Sequence, residues 1–270
     1  MYPQSRVLII AGSDSGGGAG IQADIKTVTL LGSYAMTAVT AVTAQNTMGV
    51  KKITLIPKKN VQKQITMILD DIGVDAVKIG MLHSVSTIKC VYHILKKYNL
   101  KNIVIDPVMV AKGGARLINK NSIIYLKRLL LPLAKLITPN IPEAEVLSGC
   151  SISNKKDMIQ VAKKILNMGP ENVLLKGGHL RSKMIFDILA TKKEIKIFPK
   201  RKIKTKNTHG TGCTLSSALA TCLSQKKSII KSCKISLKYV DRAITYAPGY
   251  GKGFGPLNHL VLINSRNINV

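Results

Sequence analysis

Tryptophan is absent from this sequence, and aromatic residues make up only 4% of it. Platforms on which single-stranded bases stack are therefore scarce. No apolar run reaches the roughly 18–20 residues that a bilayer-spanning helix needs. The opening stretch MYPQSRVLII lacks both the apolar core and the cleavage site of a signal peptide, so the expectation is a cytoplasmic protein with no membrane partner. Cysteines are few and odd in number (Cys90, Cys150, Cys213, Cys222, Cys233), with no C-x-x-C pair. That argues against a disulfide framework and against a zinc knuckle. Low-complexity linkers and 20–50-residue repeats are also missing, and the 270 residues read as a single domain, 1–270.

Acidic residues are the remaining shortage: 13 against 41 Lys and Arg, for a net charge of +28. Such a charge raises nucleic acid as a partner. The lysines, however, are scattered as pairs such as Lys51-Lys52, Lys96-Lys97 and Lys163-Lys164. Chain-wide richness in Lys, Ile and Asn also fits AT-biased codon usage. Both facts argue against nucleic acid as the main partner. A charged cleft still attracts an anionic cofactor.

What is present is alternation. Short apolar runs predict strands over 6–12, 35–46, 75–80, 102–108, 135–140, 172–178, 184–190 and 194–199. Amphipathic stretches predict helices over 19–32, 59–73, 84–99, 121–134, 155–169, 210–224 and 228–247. In the fifth of these, Val161, Ile165 and Met168 share one face. Strand–helix alternation implies a parallel sheet covered on both faces. Ligands of such sheets bind beyond the carboxyl ends of the strands.

Unusual residues gather at those ends. GSDSGGGAG (12–20) has five glycines in nine residues. No register of G-x-G-x-x-G fits it. The Gly12-to-Gly17 spacing suits a P-loop, but Gly18-Ala19 stands where Lys-Ser/Thr is required. Five glycines and Asp14 exceed what a tight βα turn needs, so the expectation is a loop whose backbone approaches a ligand closely. NTHGTGCTLSSALA (207–220) opens a helix at Gly210-Thr211-Gly212. Unpartnered backbone N–H groups there make an anion site. Cys213 falls in the first turn, a position that lowers a thiol's pKa and suits it to take a proton. The plainer reading is a helix start holding a buried cysteine. VIDPVM places Asp106 at a strand end, where an acid associated with Mg²⁺ can sit. ITPNIPEAEVL places Asn140 and Glu143 at a strand-to-helix junction, and LLKGGH ends a strand on Lys176. A helix-dipole acid and a solvated lysine are the ordinary alternatives. Together these residues make an acid pair for Mg²⁺, a lysine for phosphate, an anion hole and a base, the parts of phosphoryl transfer. The five histidines show no HExxH-type metal spacing.

TPNIPEAEVL, LLKGGH and NTHGTGCTLSSALA resemble signature stretches of the ribokinase-like superfamily. IAGSDSGGGAGIQADIKT, TAVTAQNT, KIGML and IDPVMVAKGG resemble its hydroxymethylpyrimidine/phosphomethylpyrimidine kinase branch. The likeness runs from about residue 6 to about 258. It implies a three-layer α/β/α fold with a mostly parallel sheet, a homodimer, and phosphorylation of 4-amino-5-hydroxymethyl-2-methylpyrimidine by ATP with Mg²⁺, first to the monophosphate and then to the diphosphate. It implies Gln45 as the pyrimidine-binding amide, with Gly12, Asp24, Met81 and Val108 in the same pocket. Gly210, Thr211, Gly212 and Cys213 match the anion hole and base. Asn140, Glu143, Lys176 and Thr208 match positions around Mg²⁺ and the ATP phosphates. Most of the superfamily has an aspartate as base where this sequence has Cys213, as the pyrimidine-kinase branch does. Two other readings stay open: a pyridoxal kinase of the same superfamily, and a basic nucleic-acid-binding protein on a retired kinase scaffold.

Overall fold

The computed structural model describes residues 2–110, 114, 117–180 and 183–262. In chain order the elements are β1 (Arg6–Asp14), α1 (Gly20–Leu30), β2 (Tyr34–Asn46), β3 (Gly49–Leu55), α2 (Lys58–Asp71), β4 (Ala76–Ile79), α3 (Val85–Lys97), β5 (Ile103–Ile105), α4 (Lys120–Tyr125), β6 (Leu136–Ile137), α5 (Ile141–Ser148), α6 (Lys155–Leu166), β7 (Asn172–Leu175), β8 (Met184–Thr191), β9 (Ile195–Arg201), α7 (Thr211–Ser224) and α8 (Ile229–Thr245). A 3₁₀ turn, His259–Leu262, closes the described part.

One nine-stranded sheet runs in the order β3-β2-β1-β4-β5-β6-β7-β8-β9. Its centre, from β2 to β7, is parallel. The edge strands β3, β8 and β9 pair antiparallel. The two-residue period of a strand sorts its side chains between two cores. Leu8 and Ile10 of β1 join Ile65, Ile88, Leu130 and Val161 in the larger core. Val7, Ile9 and Ala11 join Val28, Leu219 and Val240 in the other. Helices α1, α7 and α8 thus cover one face of the sheet, and α2 to α6 the other. This is the expected three-layer, mostly parallel architecture.

Some local expectations change. The stretch 49–55 forms β3, an edge strand whose alternation was masked by Lys51-Lys52. The helix expected over 121–134 breaks into α4, a π turn (Leu126–Leu130) and a 3₁₀ turn (Leu131–Leu133), because Pro132 has no N–H to continue the ladder. The strands expected over 102–108 and 135–140 shrink to three and two residues, each stopping just ahead of a proline, Pro107 and Pro139. Met168 lies beyond the end of α6, although Val161 and Ile165 are buried as expected. Ala111, Lys112 and Gly113 of the IDPVMVAKGG stretch lie outside the described residues.

Candidate active site

Three strand ends deliver charged side chains to one place. Asp106 follows β5, Asn140 and Glu143 follow β6, and Lys176 follows β7. Asn140 caps α5: its side chain accepts from the Glu143 N–H at 2.9 Å, and Glu143 Oε2 accepts from the Asn140 N–H at 2.8 Å. This reciprocal pair fixes the entry of α5. Lys176 Nζ donates to Asp106 Oδ1 at 3.1 Å. Burial works against the Lys176 charge, yet Asp106 and Glu143 together hold its pKa above the ordinary lysine value. Burial pushes the Glu143 carboxyl well above the carboxylate range, with nearby Asp106 adding to the effect and Lys176 opposing it.

The first turn of α7 rests on this cluster. A side-chain carbon at Gly212 would lie 3.2 Å from Asp106 Oδ2 and 3.3 Å from Lys176 Nζ. Helix α7 starts without any side-chain cap, so its first amides lack the partner that Asn140 gives α5. Its N-cap, Gly210, has φ 82°, the left-handed region that glycine tolerates. No other residue fits there, because a side-chain carbon would meet the Gly18 carbonyl oxygen at 1.7 Å. Gly18 in turn lies against the His209 ring and Pro256. Thr208 closes the turn, its carbonyl accepting from the Thr211 hydroxyl at 2.8 Å.

These contacts correct the reading of the opening glycines. Gly18 and Gly20 pack against the protein's own backbone and side chains, Gly20 over the Gly12 carbonyl. Their main work is to bring the first βα loop against the start of α7. Gly12 lies against a different neighbour: a side chain there would press on Met81 Sδ at 3.3 Å. Met81 belongs to a small apolar cluster with Ala41 and Leu117, against which Ile53 and Val108 pack. Gly12, Met81 and Val108 are thus brought together.

Cys213 is half-buried in the first turn of α7. The expected lowering of its thiol is overturned: burial pushes it up to about 12, opposed by Lys78 and reinforced by Asp24 and Asp106. Removal from water outweighs the helix dipole here. Asp24, expected in the acceptor pocket, is fully buried. Its carboxylate accepts from Lys78 Nζ at 2.7 Å and from the Ser217 hydroxyl at 2.7 Å. It joins α1 and β4 to α7 beneath Cys213.

Gln45 sits where the β2–β3 ladder shifts register. Its Nε2 lies 3.3 Å from His209 Nε2, and its Oε1 lies 3.1 Å from Thr43 Oγ1. Asp14 Oδ2 lies 2.8 Å from His209 Nε2. Sequence reasoning missed two residues here. Lys78 was signalled by its place inside the apolar run DAVKIG, and His209 by standing immediately before the glycine turn. Among the described residues no group of three or more His, Cys, Asp or Glu side chains is arranged to hold a metal. No helix among them is long and apolar enough to cross a membrane.

Residues 14–258 match the family described as phosphomethylpyrimidine kinase. The chain is similar to the hydroxymethylpyrimidine/phosphomethylpyrimidine kinase of Bacillus subtilis, 42% identical over 94% of each chain. It is 49% identical to a thiamine biosynthesis bifunctional protein of Geobacter sulfurreducens over 96% of its own length, and spans 53% of that longer relative. Among solved structures it is similar to the phosphomethylpyrimidine kinase of Clostridium difficile (44% identity, TM-score 0.80, 89% of this chain and 99% of that one). It is also similar to a Bacillus subtilis pyridoxal kinase solved as an ADP complex (35% identity, TM-score 0.88, 96% and 98%). The match along nearly all of its length, on a shared three-layer fold, makes this chain a member of the phosphomethylpyrimidine kinase family.

Proposed function

We propose that this chain is one kinase domain that transfers the terminal phosphoryl group of ATP to the hydroxymethyl group of 4-amino-5-hydroxymethyl-2-methylpyrimidine, and a second one to the resulting monophosphate. The observation that carries the reading is Lys176, ion-paired to Asp106 directly under the uncapped first turn of α7. A phosphoryl group in flight spreads negative charge over its oxygens, and catalysis is mostly positioning and electrostatics. Lys176 and the amides of Gly210 to Cys213 supply positive charge fixed in place beforehand. Asn140 and Thr208 border the ATP phosphates. Glu143 and Asp106 offer hard oxygen donors suited to Mg²⁺, which is held by one or two carboxylates plus substrate phosphates rather than by an all-protein cage. Bound there, Mg²⁺ neutralises charge on the transferring phosphate. Cys213 enters the reaction as a neutral thiol, so positioning outweighs prior ionisation.

On the acceptor side, Gly12, Met81 and Val108 offer an apolar bed for a flat ring, and Gln45 an amide for its edge. The exposed Val42, Met48 and Leu55 around β2 and β3 are apolar surface for a homodimer. The cysteines, all unpaired, suit a cytoplasmic enzyme. The pyridoxal kinase neighbour keeps one second reading open, since pyridoxal also joins a flat ring to a CH₂OH group. The test is an assay with ATP–Mg²⁺, resolving mono- from diphosphate and running pyridoxal in parallel. Sequential appearance of both pyrimidine phosphates, faster than turnover of pyridoxal, is the expected result. Turnover of pyridoxal alone sinks the reading.

A further inference from the structure

We propose that His209 is a specificity-determining positioning residue: its ring N–H holds the Gln45 amide in the one orientation that reads the edge of an aminopyrimidine. The inference rests on the reading of Gln45 as the ring-facing residue and deepens it.

Asp14 accepts from two backbone amides, Gly16 at Oδ1 and Ala19 at Oδ2, each at 2.8 Å. Burial works against its charge, but the bonds from His209 and these amides keep its pKa below the ordinary value. An ionised carboxylate only accepts, so His209 Nε2, 2.8 Å from Oδ2, carries a proton. A nitrogen that carries a proton cannot accept from an amide NH₂. The Gln45 atom facing it at 3.3 Å is therefore the carbonyl oxygen. The other end of the amide gives the same answer independently. The single Thr43 hydroxyl proton goes to the Ser13 carbonyl at 2.9 Å, so toward Gln45 the hydroxyl must accept. The Gln45 atom 3.1 Å away is then the NH₂. Amide oxygen and nitrogen differ in position by a simple turn of the group. Turned this way, the Gln45 oxygen takes the longer branch of the His209 N–H, whose main acceptor is Asp14 Oδ2, and the Gln45 NH₂ donates to Thr43.

The match leaves one amide N–H and one oxygen lone pair unused, side by side. An aminopyrimidine offers the complementary pair, a ring nitrogen beside an amino N–H. A hydroxypyridine ring such as pyridoxal's does not offer it. His209 also stands next to Gly210, with its own N–H donating to the Gly255 carbonyl at 3.1 Å. It therefore links the residue that reads the acceptor ring to the turn proposed to hold the phosphate.

The test pairs kinetics with spectroscopy. In the wild-type enzyme, the ¹⁵N shift of His209 Nε2 should be that of a protonated ring nitrogen; an unprotonated Nε2 overturns the inference. His209→Leu should raise KM for the aminopyrimidine about tenfold, the size of one lost hydrogen bond, with kcat, the ATP KM and pyridoxal turnover much less changed. His209→Gln, which restores an N–H at similar reach, should recover most of the loss. Should the leucine variant fail to fold, Thr43→Val attacks the other end of the amide and should raise the same KM about threefold. Equal losses on both ring types, or a fall in kcat alone, overturn the proposal. Gln45→Ala separates the two levels. If it leaves the pyrimidine KM unchanged, the assignment of Gln45 fails and this inference with it. If it raises that KM while His209→Leu does not, only His209 is wrong.

Discussion

Lys78–Asp24 and Lys176–Asp106 are the same chemical pair placed against the same helix, and they differ in access to water. The side chains of the first are 0% and 0% exposed, and those of the second 14% and 3%. In the sealed pair every strong partner is internal: Asp24 also accepts from Ser217, and burial opposes the Lys78 charge while Asp24, with Cys213 and Asp106, holds its pKa above the ordinary lysine value. The open pair sits at strand ends, where its lysine can exchange a carboxylate for a phosphate. A sealed pair of charges fixes geometry, because removing one partner strands the other. An open one is available for chemistry. The fold thus uses one ion pair twice, once sealed behind α7 and once open at its tip.

The largest expected effect comes from the sealed pair. Lys78→Met should cost about 3–5 kcal/mol of stability in urea denaturation, and adding Asp24→Leu should return most of it. A single variant as stable as the wild type would remove the distinction between the pairs. The open pair should respond in the opposite currency. Lys176→Met should lower kcat about 10²–10³-fold with a melting temperature shifted by only a few degrees; a loss below about tenfold would make Lys176 structural as well.

A third buried group, His259 of the closing 3₁₀ turn, packs against α7 and extends the comparison to a titratable side chain with no opposite charge beside it. His259 Nε2 lies 3.0 Å from Thr214 Oγ1, and burial lowers its pKa from 6.5 to about 4, with Lys26 contributing. The folded protein therefore resists a proton that the unfolded chain accepts. Its contribution is complete above pH 6.5 and lost as pH falls toward 4, by up to about 3 kcal/mol. His259→Gln should flatten that part of the stability profile. The smallest expected effect is a null result at Cys213. With the thiol pushed up to about 12, kcat should show no thiolate ionisation between about pH 7 and 9. A step near the ordinary thiol value would return Cys213 to the role of ionised base.

The layers and the parallel centre of the sheet were legible because alternation and helical spacing recur along the chain. So were Asp106, Glu143, Asn140 and Lys176, since each stands at a strand end where an apolar run stops. The rest depended on contacts between distant segments. Burial outweighing the helix dipole at Cys213 cannot be read from a first-turn position. Nor can the sealing of Asp24, whose partners lie on β4 and α7. The glycine-rich loop looked made for a ligand because a single sequence does not display the turn that packs on it. Pro132 gave a local signal for the break after α4, but the amphipathic pattern around it hid the change.

The contact between His209 and Asp14 spans 195 positions of sequence. Joining segments so far apart costs loop-closure entropy that no local helix or hairpin repays. The site is therefore among the last things to form as the chain folds. A chain emerging from the ribosome can complete β1 to β7 while still lacking the turn that proposed phosphate binding requires. The turn at Gly210 joins the first twenty residues only once the final third of the chain has docked. Local opening of α7 and α8 should accordingly silence the enzyme before the sheet itself melts.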